Sequence, residues 1–365
     1  MKIACEKLAM LNAINIVQKA IPIRTTYPIL EGILIKTCGE QIKLVTNNLE
    51  MSIECKIDAK VIEKGEVVVD SKLLWEIIKR MPDYEIYIEE KNENVTIKCD
   101  KSLFEIRGRR GESFPVLPEI EKEIELKVPQ IILKDMIRQT IFAVGEDENR
   151  KILTGVNINI KDGFLVFVAL DGFRLALKKL KIQEDLNDIS IVIPGKTLNE
   201  IGKILDVKEE AVSVYFEKKQ VMFDMGNTRI VSRLLEGDYI NYENVIPEEF
   251  ESRIRINNKT FLEAIERASI LAISENMSYP IIIKLDFDKI IITANTPSGN
   301  AREEIENEIL GNEMDIRFNP RYFIDALKVI DEEYVDVLFN SDIGPCIIKS
   351  ADKDAFLYMI LPLRK

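Results

Sequence analysis

The residues best placed to do chemistry are acidic and basic, because the chain contains no histidine. That absence removes Ser-His-Asp and Cys-His nucleophile systems, histidine general bases and most zinc sites. The densest carboxylate group, Glu146-Asp147-Glu148, sits beside Arg150 and Lys151. It could serve a carboxylate- or metal-dependent nucleic-acid hydrolase. No second carboxylate set recurs at a matching distance, and runs of this kind are usually solvated loops. Pro194-Gly195-Lys196-Thr197 follows an apolar stretch and opens a helix, as the end of a phosphate-binding loop does. The complete pattern needs a glycine five residues before the Gly-Lys pair, and Ser190 stands there. Cys5, Cys38, Cys55, Cys99 and Cys346 are odd in number and contain no Cys-x-x-Cys. They suggest neither a disulfide framework nor a zinc knuckle.

Net charge is −12. Phosphate binding wants cations, so a nucleic-acid role requires that they gather on one face. The first twenty residues are interrupted by Lys2, Glu6, Lys7 and Lys19, and no apolar run is long enough for a leader or a bilayer span. A cytoplasmic protein with reduced cysteines and no membrane partner is expected. No cofactor is implied.

The elements that position these residues repeat. Lys72 opens KLLWEIIK, Lys196 opens KTLNEIGK and Arg321 opens RYFIDALK. Each reads cation, x, apolar, x, acid, apolar, x, lysine, the spacing of an amphipathic helix. The acids are Glu76, Glu200 and Asp325. After each octet come two strand-like runs broken by Lys91–Asn94, Lys218-Lys219 or Ser341-Asp342, which predicts a hairpin. A second helix precedes each octet. Its apolar stripe is expected to be Leu8, Leu11 and Ile14 in the first copy, Leu133, Met136, Ile137 and Ile141 in the second, and Phe261, Ala264, Ile265 and Ala268 in the third. The tails FEIRGRRGESFPVLPEI and TRIVSRLLEGDYINYENVIP read as linkers. The prediction is an α+β chain of three domains, 1–125, 126–251 and 252–365, each with two helices packed on antiparallel sheets.

The cations follow the helices. Lys72, Lys79, Arg80, Arg138, Lys196, Lys203, Arg321 and Lys328 fall on or at the ends of predicted helices. One such face alone would be a solvated surface with ion pairs. Three recurrences point to a common lining that touches phosphates without reading bases. No zinc finger, arginine-rich arm or RNP aromatic set is present. A non-DNA scaffold and a hydrolase remain the alternatives.

Three similar units, the segment Ala169–Ala176 with Asp171-Gly172-Phe173-Arg174-Leu175-Ala176, the later Gly237–Tyr242 and the terminal Leu361-Pro362-Leu363-Arg364 together resemble the bacterial DNA polymerase III beta subunits, the sliding clamps. The resemblance spans the whole chain. It implies three clamp-type domains per chain and a head-to-tail homodimer forming a six-domain ring around duplex DNA, held without sequence preference. It implies a non-catalytic processivity factor opened by a separate clamp loader. It also implies a hydrophobic pocket for short Leu-Phe motifs of the replicative polymerase, the loader and repair proteins. Carried over by position, that pocket comprises Leu153, Leu170, Gly172, Phe173, Arg174, Leu175, Asn244, Val245, Tyr322, Ile343, Pro345, Met359, Leu361, Pro362, Leu363 and Arg364. Leu170 and Ile240 depart from the threonine and proline usual at those places. The resemblance further places Arg24, Arg150 and Lys151 near DNA. It places Phe104 and Ile106 at the ring interface, against Ile270 and Leu271 of the next chain.

Overall fold

The expected helical spacing appears six times. The helices are α1 (Lys7–Val17), α2 (Ser71–Arg80), α3 (Gln130–Ile141), α4 (Gly195–Ile204), α5 (Asn258–Ser269) and α6 (Pro320–Lys328). The structure, a computed structural model, describes all residues except 116–119, 185, 274–278, 352–354 and 365. Part of the first predicted linker therefore lies outside the described residues.

Local chemistry starts these helices. Asp70 caps α2 by accepting from the Leu73 amide at 2.8 Å, and Lys79 and Arg80 occupy its last turn, where cations complement the helix dipole. Asn257 caps α5 by accepting from the Thr260 amide, and Asn319 caps α6 from outside a first-turn Pro320. Each of these three helices buries one stripe. In α2 it is Leu74, Ile77 and Ile78, in α5 Phe261, Ala264, Ile265 and Ala268, and in α6 Phe323, Ala326 and Leu327. The stripe of α1 is rotated from its expected place. Met10, Ala13, Ile14 and Val17 are buried, whereas Leu8 is 66 % exposed. The contribution of Met10 and Val17 sets that face, so Leu8 falls outside the stripe.

Contacts divide the chain into two compact units. One comprises Met1–Ile131 with Lys203–Leu234, the other Ile132–Gly202 with Leu235–Lys365. The first unit holds a five-stranded and a nine-stranded antiparallel sheet, the second a nine-stranded and a four-stranded one. All three predicted hairpins form, as Glu85–Lys91 with Asn94–Cys99, Ala211–Phe216 with Gln220–Asp224, and Tyr334–Phe339 with Cys346–Ser350.

Each nine-stranded sheet has a seam where strands distant in sequence meet. In the first unit Met51–Asp58 pairs antiparallel with Thr228–Arg233, Ile53 opposite Ile230. In the second unit Arg174–Lys181 pairs antiparallel with Phe356–Ile360, Leu175 opposite Met359. Both seams join the third strand of one meander to the third strand of another. The two smaller sheets end instead on strands bonded on one side only, Ser102–Arg107 in the first unit and Gly299–Glu306 in the second.

Candidate functional site

The motif Asp171–Leu175 forms the turn that opens one seam strand. Asp171 Oδ1 accepts from the amides of Phe173 at 2.8 Å and Arg174 at 3.0 Å. Gly172 has φ of +96°, and a Cβ there would lie 3.0 Å from Arg150 Nη1. Glycine is favoured by the backbone and by the space. Beyond the turn, Arg174 lies opposite Ile360, and the Phe173 carbonyl accepts from the Leu361 amide at 2.8 Å. The C-terminal tail is thus hydrogen-bonded to the turn.

Arg174 is held on several sides. Its Nε donates to Asp171 Oδ2 at 3.0 Å and its Nη1 to Asp325 Oδ2 at 2.5 Å. The guanidinium lies 4.7 Å from the Tyr322 ring centroid and 5.6 Å from that of Phe142. Phe173 stacks on Tyr322 with centroids 6.5 Å apart. Burial, the largest influence on the Tyr322 hydroxyl, raises its pKa.

Next to this turn the sheet carries an apolar cluster on one face. Leu153, Val166, Val168, Leu170, Leu175, Leu338, Ile347 and Met359 are its buried members. Tyr239, Tyr242, Leu177, Leu357 and Leu361 pack against it half-buried. Burying a leucine of this kind stabilises by about 1.5–3 kcal/mol. Tyr239 donates to the Val168 carbonyl at 3.4 Å, and Tyr242 meets the Asn159 amide nitrogen at 3.4 Å. Burial raises the pKa of both phenols.

Of the residues expected in a pocket, Leu153, Leu170, Leu175, Met359 and Leu361 share this cluster. Gly172, Phe173 and Arg174 form the turn beside it, and Tyr322 of α6 lies against that turn. Asn244, Val245, Ile343, Leu363 and Arg364 are exposed, and Pro345 and Pro362 are half-buried, all outside the cluster. Leu338 and Ile347 were missed from sequence. Their signal was available: they face each other in the third predicted hairpin, in register with Met359.

Family models describe the chain almost end to end. The N-terminal, central and C-terminal domains of the DNA polymerase III beta subunit match residues 1–118, 127–241 and 243–364. The chain belongs to the DNA polymerase III beta subunit family. Similar curated proteins are beta sliding clamps, from Halalkalibacterium halodurans (37 % identical, covering 96 % of both chains) and Bacillus subtilis (35 %, covering 100 % of both). Among solved structures, a Bacillus subtilis DNA polymerase sliding clamp superposes with TM-score 0.97 at 34 % identity, covering 100 % of this chain and 99 % of that one. A Pseudomonas aeruginosa clamp bound to griselimycin superposes with TM-score 0.95 at 26 % identity, covering 100 % of both. The beta subunits are sliding clamps, non-catalytic partners of the polymerase, and the hydrolase alternative is set aside on that ground.

Among the described residues no helix is long and apolar enough to cross a membrane. The cations singled out from sequence differ in their surroundings. Arg24, Lys72, Lys79 and Lys151 are exposed, with Lys79 Nζ 4.1 Å from the Trp75 ring centroid. Lys203 and Arg321 lie on α4 and α6. Carboxylates lie beside Arg80 (Glu76, 2.7 Å), Lys196 (Glu148, 3.7 Å) and Lys328 (Glu266, 2.8 Å). Arg138 is engaged more fully, by Asp135, Asp331 and the Val329 carbonyl. Arg150 donates to Asp147 and to the Asp171 carbonyl, which ties it to the Gly172 turn. Asp147 itself accepts from the Asn149 amide, the leading cause of its lowered pKa. At the one-sided edges, Phe104 is 43 % and Ile270 is 73 % exposed, Ile106 and Leu271 are half-buried, and Leu271 Cδ1 lies 3.5 Å from where a Gly299 Cβ would be.

Proposed function

We propose that two copies of this chain join head to tail into a ring that encircles duplex DNA and tethers a polymerase through a peptide pocket. The observation that carries the reading is the pair of one-sided sheet edges. Strand Ser102–Arg107 occupies in the first meander the place that Thr228–Arg233 and Phe356–Ile360 occupy at the two seams. Strand Gly299–Glu306 occupies the place of Met51–Asp58 and Arg174–Lys181. The edge of one copy therefore matches the opposite edge of a second. Together they would complete a further nine-stranded sheet and remove two exposed edges that otherwise invite aggregation. Carrying the first seam's register over puts Phe104 opposite Ala301 of the second copy and Ile106 opposite its Gly299.

Domains 1–125, 126–251 and 252–365 are the repeating units of this reading. Duplex DNA is met by the exposed cations of the helices and of the Arg24 and Lys151 segments. Their ion pairs are weak and exchange readily with phosphates, so contact is salt-sensitive and permits sliding. Topological linkage, not affinity, supplies processivity. The Leu170–Leu175–Met359 cluster docks short apolar peptides, such as Leu-Phe motifs of the polymerase, loader and repair proteins. Such a protein works in the cytoplasm.

Loading on nicked circular DNA tests the ring. Protein loaded by a cognate loader should stay on the circle during gel filtration and leave when the circle is cut. Equal loss from intact and cut circles would overturn the reading.

A further inference from the structure

We infer that Asp325 is a positioning residue for the peptide site, acting through Arg174. The inference rests on the proposed peptide site and concerns what holds it in shape. The octet pattern suggests that the acids of all three helices lie on a solvated face. Glu76 fits this, paired with Arg80 one turn along α2. Asp325, at the same place in α6, instead reaches Arg174 at 2.5 Å.

A comparison of the two seam turns isolates what is special. In the first unit, Asn48 Oδ1 accepts from the Glu50 and Met51 amides at 3.0 and 2.7 Å, and Leu49 takes φ of +75°. In the second, Asp171 Oδ1 accepts from Phe173 and Arg174, and Gly172 takes φ of +96°. The turn itself is therefore generic. Met51 stands where Arg174 stands, so the guanidinium and its partners belong to the second seam alone.

Arg174 is only 14 % exposed. A guanidinium so enclosed needs its donors matched. Asp171 matches Nε from within the turn and cannot by itself fix the turn against α6. Asp325 does so from α6, with Tyr322 from the same helix lying against the guanidinium and stacked on Phe173. The same turn carries Leu175 and holds Leu361 through the Phe173 carbonyl, and both leucines belong to the cluster. Loss of Asp325 leaves one Arg174 donor without its carboxylate and frees the turn to shift, so the cluster loses its fixed edge.

Fluorescence polarisation with a labelled peptide ending in Leu-Phe tests this on the full-length protein. Asp325→Asn should weaken binding about fivefold, as expected for one partly exposed charged contact. Asp325→Glu should recover most of the affinity. In an Arg174→Gln background, Asp325→Asn should add almost nothing, because its route is already cut. Sedimentation of each variant should match the parent. Asp325→Asn binding within twofold of the parent, or an undiminished effect in the Arg174→Gln background, would overturn the inference. Failure of the parent itself to bind would sink the peptide-site reading instead.

Discussion

The two sheet seams share a backbone plan and differ in what they present. In the first, Asn47 pairs with Ser52, Ser52 with Val231, and Glu54 with Arg229. In the second, Leu170 pairs with Leu175, Leu175 with Met359, and Leu177 with Leu357. At four of these five positions a polar side chain has given way to an apolar one, Val231 being apolar already. On the first face polar groups meet one another: Asn47 Oδ1 accepts from the Leu49 amide, and Glu54 Oε2 meets Lys43 at 3.0 Å. On the second, Leu170, Leu175 and Met359 are already buried, and half-buried Leu177, Leu357 and Leu361 are the apolar surface left to cover. Strand pairing needs only backbone groups, so the repeat can join its sheets with either set. Side chains then decide which seam can receive a peptide.

Transplanting the first set into the second is the strongest way to break this comparison. Leu170→Asn with Leu175→Ser should reduce affinity for a Leu-Phe peptide roughly a hundredfold, equivalent to about 3 kcal/mol. Titration by fluorescence polarisation checks it, and undiminished binding would place the peptide elsewhere. A third seam, between copies, extends the comparison. Phe104→Arg should raise the dimer dissociation constant at least about tenfold, by placing a charge where the two equivalent strands carry buried Ile230 and Tyr358. Analytical ultracentrifugation reads that directly.

The turns give a smaller, signed test. Gly172→Ala should lower stability by about 1 kcal/mol, because an L-residue is disfavoured at its φ. Leu49→Gly, at the matching place, should cost less or stabilise, because it removes a side chain from the left-handed region. Denaturant melts, each compared with the parent, should therefore place Gly172→Ala below Leu49→Gly in stability. Smallest of all, Lys79→Gln should lower the salt slope of DNA binding by about one unit without changing sequence preference.

Much of the architecture was legible because it repeats. The octets marked α2, α4 and α6, and the interrupted apolar runs marked the hairpins, since both rest on short-range periodicity. The stripe of α1 was misplaced because Leu8 fits an apolar spacing that the fold does not use. Half of the cluster was legible too. Leu170, Leu175 and Met359 came from the family resemblance, whereas Leu338 and Ile347 enter through strand register, which links residues far apart in sequence. The role of Asp325 was hidden for the same reason: helical spacing shows which face an acid shares, not which distant arginine meets it. Arg138 shows both cases, since Asp135 stands three residues before it in sequence and Asp331 meets it only in the folded chain.

The most direct test of the central claim, that unequal use of one repeat builds both closure and docking, is a crosslink at the proposed third seam. In a Cys38→Ser background, which removes the exposed native thiol, Phe104→Cys and Ala301→Cys are introduced into one chain. Oxidation should yield covalently closed dimers that, once on nicked circular DNA, resist dissociation in high salt and are released by linearisation. Absence of an interchain disulfide, or crosslinking into open chains longer than two, would contradict the account.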